Sequence, residues 1–216
     1  MELRSIYWFR NDLRLSDNLS LNKALDNSKY ILFLFVDDES NRKHTSWEFM
    51  RTDAHRETFI NQGISSLDKA LKSYGHSLHV LKGNTVEILN KIVQEHHIDS
   101  IFCEEIAASE EIEQVKVLKK LNVNINSIFQ SSLFNVKQLP FDIKNMPDVF
   151  TKFRKCMELE KIEPNNPEQL SDNIKNILPI NFNSTKITVK KIHRHKESSF
   201  PIYKDCLLYT SDAADE

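Results

Sequence analysis

Glycine is scarce in this chain. Gly63, Gly75 and Gly83 are its three glycines in 216 residues, so neither a GxGxxG dinucleotide fingerprint nor a GxxxxGK[ST] phosphate loop can be written anywhere. Cysteine is equally sparse. Cys103, Cys156 and Cys206 are odd in number, far apart and without a CxxC pair. That excludes a disulfide framework and a thiolate zinc site, and it fits a reducing, cytoplasmic setting. No run approaches the roughly 18 uninterrupted apolar residues of a membrane span. Met1-Glu2-Leu3-Arg4 enters a strand-like segment without the apolar core of a signal peptide. An excess of one charge is missing too: 29 Lys+Arg face 31 Asp+Glu, for a formal net charge of -2. Nucleic-acid binding through bulk positive charge is thereby excluded, while a local patch stays open.

What is present is an ordinary globular composition, 40% hydrophobic and 28% charged, enough for a packed core. The first 135 residues alternate between two periods. Ile6-Tyr7-Trp8-Phe9 is a short β-branched and aromatic run, and Leu19, Leu21, Ala24 and Leu25 follow at helical spacing. Tyr30 to Val36 is continuously apolar, as a strand covered on both faces requires. Ile60, Ile64, Leu67, Leu71 and Tyr74 make one helical stripe within 52–74, and Gly75 is placed to cap it. Leu78 to Leu81 predicts a third strand. Asn84, with Glu87 three residues on, predicts the start of a helix carrying Val86, Leu89, Ile92 and Val93. Ser100-Ile101-Phe102-Cys103 predicts a fourth strand. Ser109, followed by Glu110 and Glu111, predicts a capped helix through Leu121, and 123–129 a fifth strand.

Strands separated by helices predict an α/β fold: a Rossmann-like five-stranded parallel sheet with helices on both faces. All six prolines lie from Pro140 onward. Residues 136–205 are therefore expected to form an irregular connector with one short helix near 149–160, rather than a second core.

In such a sheet, ligands gather outside the carboxyl ends of the strands where the winding reverses. Strand one leaves through Arg10-Asn11-Asp12-Leu13-Arg14 and strand four through Glu104-Glu105. If the two strands are neighbours, Arg10 and Asp12 face the glutamates across one crevice, and a carboxylate there suits the paired N–H donors of a flat heterocycle. Charged loop residues are ordinarily solvated or structurally paired, so this pattern alone does not establish binding. Other constellations are weaker. His76, His79, His96-His97 and His193-x-His195 have neither HExxH form nor a carboxylate at metal-ligand spacing, so no metal is expected. A GxSxG elbow is missing. Trp8 and Trp47 read as packing residues, and the basic run 186–196 as a solvated connector.

The opening YWFRNDLRLSDNLSL resembles the start of the photolyase/cryptochrome family, whose members begin with a WFRxDLRxxDNxxL stretch. Downstream, CEEIAASEE and LPFDIKNMPDVFTKFRKCME resemble the DASH-type branch, with its HEEV-like turn and LPF…LPDVFT.FRK segment. Cys103 stands where the branch has histidine, and Met146-Pro147 replaces Leu-Pro. The likeness covers about residues 3–170.

That resemblance implies the antenna half of a two-part light-driven flavoprotein over residues 1–135. In the family, a larger helical half binds FAD and docks the pyrimidine dimer in DNA, single-stranded for DASH members. The antenna half helps hold methenyltetrahydrofolate, or a deazaflavin in other branches. The resemblance places the folate-contacting acid on Glu105, with Glu104 second. Arg10 and Asp12 match the opening motif and are expected to be structural at the crevice. The branch elsewhere that uses a slightly later carboxylate has its counterpart here in Ala107. A monomer is expected, lacking the helical half. Residues 206–216 (CLLYTSDAADE) resemble translated sequencing-adaptor read-through, so the authentic sequence is expected to stop near Asp205. Two other classes compete: a light-signalling cryptochrome without repair, and a nucleotide-binding module of universal-stress or electron-transfer-flavoprotein type. The latter needs a Gly-rich loop near the final strand, and SIFQSSLFNVKQ has no glycine.

Overall fold

The apolar run at 30–36 lies deep in the molecule, in strand β2 (Tyr30–Asp38), with Ile31 through Val36 all buried. A computed structural model of the chain describes residues 3–44, 48, 51–52 and 54–182, of which 54 and 55 by backbone only. Trp47, the basic run 186–196, His193, His195 and the tail 206–216 lie outside the described residues.

β1 (Arg4–Phe9), β3 (His79–Gly83), β4 (Ser100–Glu104) and β5 (Asn124–Ile128) join β2 in one parallel sheet of order β3-β2-β1-β4-β5. Helices α1 (Leu19–Asn27), α2 (Ala54–Lys72), α3 (Thr85–His96) and α4 (Ser109–Leu118) supply the crossovers. Strand alternation then divides the core in two. Tyr7, Phe9, Phe33, Phe35 and Phe102 pack with Leu21 and Leu25 of α1 and Leu67 and Leu71 of α2. Ile6, Trp8, Leu32, Leu34, Ile101 and Cys103 pack with Leu89 and Ile92 of α3 and Val115 and Leu118 of α4. The sheet is covered on both faces, as the unbroken apolar run in β2 requires.

Local signals behave as elementary chemistry dictates, with one exception. The Asn84 side chain accepts from the N–H groups of Val86 and Glu87 and opens α3. Gly75 follows α2 at a φ of 82°, in the left-handed region that favours glycine. Gly63, in mid-helix, permits close approach: a Cβ there would sit 3.0 Å from Leu13 Cδ1 in the loop leaving β1. Ser109 does not cap α4. Ala108 occupies the cap position without a side-chain bond, while the Ser109 hydroxyl donates to Glu110 Oε2 at 2.9 Å. Glu110 and Glu111 in the first turn already complement the helix dipole.

The proline-rich stretch does more than trail away from the sheet. After α5 (Phe150–Leu159), the chain returns alongside α1: Asp17 N–H donates to the Glu168 carbonyl, and Asn22 bonds both Gln169 and Ser171. A two-residue strand, β6 (Leu178–Pro179), then pairs with Tyr30 and Ile31 of β2. Ile174 and Ile177 enter the first core cluster and Ile180 the second. Pro179, lacking an N–H, sits in an edge position where none is needed.

Candidate functional site

The winding of the sheet reverses between β1 and β4, which are paired with Trp8 opposite Cys103. The loop leaving β1 is held by a buried polar network. Asp12, fully buried, accepts from Tyr7 Oη at 2.5 Å, Asn18 Nδ2 at 3.1 Å and the Arg10 N–H at 2.9 Å. Gln130, just past β5, donates to Asn18 Oδ1 at 3.0 Å and accepts from Ser20 N–H at 2.8 Å. Burial, reinforced by the Asp12 charge, raises the Tyr7 hydroxyl well above its ordinary value. The turn is therefore a proton-rich phenol resting on a carboxylate.

Arg10 runs the other way. Its guanidinium lies 4.5 Å from the centre of the Trp8 ring. It donates to the backbone carbonyls of Glu104 (3.2 Å) and Glu111 (3.3 Å) and to Gln114 Oε1 (3.3 Å). Arg10 thus meets Glu104 through its backbone, not its carboxylate. Desolvation lowers its pKa, and Glu111, Glu104 and Asp12 oppose that loss. Below it, burial pushes the Cys103 thiol up to about 12, so this sulfur stays protonated and unreactive.

The two glutamates part company. Glu104, on the Phe102 side of β4, is only 3% exposed, and its carboxyl makes no hydrogen bond among the described residues. Burial first, then the Asp12 charge, raises its pKa, while Arg14 and Arg10 pull against them. Glu105 is exposed and contributes its backbone N–H to the Ile128 carbonyl at 2.8 Å. The sign of the Glu104 shift gives a pH prediction. An acid whose folded pKa exceeds its unfolded one withdraws stability as pH rises between the two values. Glu104→Gln is expected to raise the unfolding midpoint at pH 8 and to leave it nearly unchanged at pH 4. Equal shifts at both values would contradict a strained carboxylate.

A crevice of about 280 Å³ opens at the carboxyl ends of β1 and β2. Trp8, Phe35 and Asp38 line it from the strands, Arg10 from the loop leaving β1, Arg56 and Phe59 from α2, and Glu111 and Gln114 from α4. Asp38, despite the opposing cost of burial, is held below its usual range by bonds from Ser40 and Thr85. Arg51 Nη2 reaches Glu111 Oε1 at 3.1 Å, leaving Glu111 Oε2 buried without a partner among the described residues. Of the residues singled out in the sequence, Arg10 lines this crevice; Asp12 lies behind the β1 turn, and neither Glu104 nor Glu105 lines it. Arg56, Asp38, Glu111 and Gln114 escaped the sequence because they converge from three separated segments, α2, β2 and α4. Among the described residues no group of three His, Cys, Asp or Glu is arranged to hold a metal, and no helix is long and apolar enough to cross a membrane.

A doubly wound parallel sheet with this strand order is a Rossmann-like domain; the DNA photolyase family matches residues 5–169, and the chain belongs to that family. Its likeness is to the DASH branch. It is 32% identical over 161 residues to cryptochrome DASH of Synechocystis sp., covering 73% of this chain and 33% of that protein. It is 33% identical over 162 residues to the chloroplastic/mitochondrial cryptochrome DASH of Arabidopsis thaliana, covering 71% and 28%. A crystal structure of a Synechocystis cryptochrome superposes with a TM-score of 0.77 at 27% identity, over 88% of this chain and 40% of that one. The chain therefore spans about a third of the length of these curated relatives.

Proposed function

We propose that this chain is the antenna half of a DASH-type cryptochrome or deoxyribodipyrimidine photolyase, holding methenyltetrahydrofolate for a FAD that the helical half binds. In that role the folate absorbs light and passes the excitation to reduced FAD, which donates an electron to split a pyrimidine dimer in DNA, single-stranded by the branch's habit. One observation carries the reading: a Glu104-Glu105 pair ends β4 beside the reversal of the sheet, within the matched family segment. Glu105 is the folate-contacting acid in this account and Glu104 the second. An exposed carboxylate at the carboxyl end of a strand suits a ligand whose far wall is supplied by another domain. Light signalling without repair is the second reading, favoured by the likeness to a protein named blue-light photoreceptor, 29% identical over 163 residues.

Purification of the chain with excess FAD and folate tests the reading. The chain is expected to carry no stoichiometric flavin and to repair no dimers under blue light. Folate is expected to bind several hundred-fold more weakly than to a two-part protein. Loss of about 150 Å² of burial at about 25 cal/mol per Å² amounts to nearly 4 kcal/mol. Stoichiometric flavin or light-dependent repair would overturn the assignment to an antenna half.

A further inference from the structure

Apolar exposure in this molecule is concentrated in one stretch of chain. Leu133, Ile143, Met146, Val149, Phe150 and Leu159 are each at least half exposed. Among the described residues the other large apolar side chain so exposed is Phe59, on α2. Helix α5 makes the pattern specific. Phe150, Phe153 and Met157 fall at i, i+3 and i+7, on one stripe. Met157 is buried at 5% exposure, Phe153 is half-buried, and Phe150 is 74% exposed. The stripe begins in this domain and runs out of it. Phe150 stacks on Phe153, which meets Phe141 edge-on at 5.7 Å, so the exposed ring belongs to an ordered aromatic cluster. An apolar stripe of this kind, unpartnered at one end, is what a domain interface leaves when one side is removed.

We infer that the segment 133–159, centred on Phe150, is a docking face for the polypeptide that the relatives carry beyond the matched segment. The inference rests on the chain's being the first part of a longer two-part protein. The occupant follows from length: the chain spans about a third of the cryptochrome DASH relatives, and the family match reaches residue 169, past this face. Charge adds chemistry. Lys152 and Lys155 are exposed around the apolar stripe, and so are Asp148 and Glu160, so the partner surface is apolar at its centre and polar, of mixed charge, at its rim. Arg154 is already occupied by Glu158 at 3.3 Å.

Two preparations test the docking face. The first is the intact chain; the second is a full-length hybrid in which residues 3–182 replace the corresponding part of the Synechocystis cryptochrome DASH. The unsubstituted hybrid is expected to unfold in one cooperative transition. Phe150→Glu with Leu159→Glu is expected to split it into two, the lower at the midpoint of the intact chain. The same pair in the intact chain should lower its own midpoint only slightly, because Leu159 is largely exposed there and Phe150 loses only its stacking on Phe153. A substituted hybrid that still melts as one unit would overturn the inference, and so would two transitions before substitution. A dimer of the intact chain that Phe150→Glu dissolves would overturn it in favour of self-association. A hybrid that melts as one unit yet binds no folate would contradict the antenna reading alone.

Discussion

Asp12→Ala is expected to destabilise the domain by about 3–5 kcal/mol, because it strips a buried phenol, amide and backbone N–H of their shared acceptor. Asp12 receives Tyr7 Oη, Asn18 Nδ2 and Arg10 N–H inside a site with no solvent exposure. For a domain of this size each kcal/mol lowers the midpoint by roughly 2–4 °C, so a loss on the order of 10 °C should appear in a thermal melt. Asp12→Asn, which keeps the shape but not the charge, should fall between. Removing only the phenol hydroxyl by Tyr7→Phe should cost less than Asp12→Ala, since Asp12 keeps its bonds from Asn18, Gln130 and the Arg10 N–H. We propose that these effects belong to the β1 turn and not to a chromophore. In the full-length hybrid at saturating folate, Asp12→Asn should lower the midpoint while the antenna absorbance persists. Normal melting with a missing antenna band would assign Asp12 to ligand instead.

The second large effect concerns Glu105. A carboxylate accepts two N–H donors from a pterin edge, and loss of such a charge-assisted bond costs about 1.5–3 kcal/mol. Glu105→Gln in the hybrid is therefore expected to weaken folate binding about ten- to hundred-fold. Because Glu105 is exposed and only its backbone N–H, bonded to the Ile128 carbonyl, takes part in the sheet, stability should barely change. Unchanged folate occupancy at limiting concentration would remove Glu105 from the site. A comparable loss in Glu104→Gln, with Glu105→Gln silent, would move the contact to the buried neighbour.

The parallel sheet was legible because its signals are local and periodic. Ile31 to Val36 had to be buried on both faces, and Asn84 and Gly75 mark helix ends through their own backbone chemistry. Ser109 misled because a serine before acids satisfies the cap pattern, yet its hydroxyl found a carboxylate one residue away. β6 was invisible for a different reason. Two residues have no period, and a strand containing proline reads as a break; the isoleucines around it, Ile174, Ile177 and Ile180, gain meaning only from the sheet they return to. In the site, Arg10 and Asp12 stood out as a dense charge cluster next to a strand. What could not be read was their division of labour: Asp12 turns inward to Tyr7, whereas Arg10 spans to α4 over the face of Trp8. That division depends on which face each residue takes after the strand ends, a property of the folded turn. The partners of the crevice, Arg51 with Glu111 and Asp38 with Thr85, are separated by dozens of positions and meet only once α2, α3 and α4 have packed.

The most direct measurement is an excitation spectrum of the full-length hybrid loaded with methenyltetrahydrofolate and reduced FAD, read through flavin-dependent repair of a single-stranded pyrimidine dimer. If this chain is an antenna half, excitation in the folate band should drive repair in excess of direct flavin absorption, and Glu105→Gln at limiting folate should remove that excess while sparing the flavin band. A spectrum that follows flavin absorption alone, with folate bound at full occupancy, would contradict the claim that this domain harvests light.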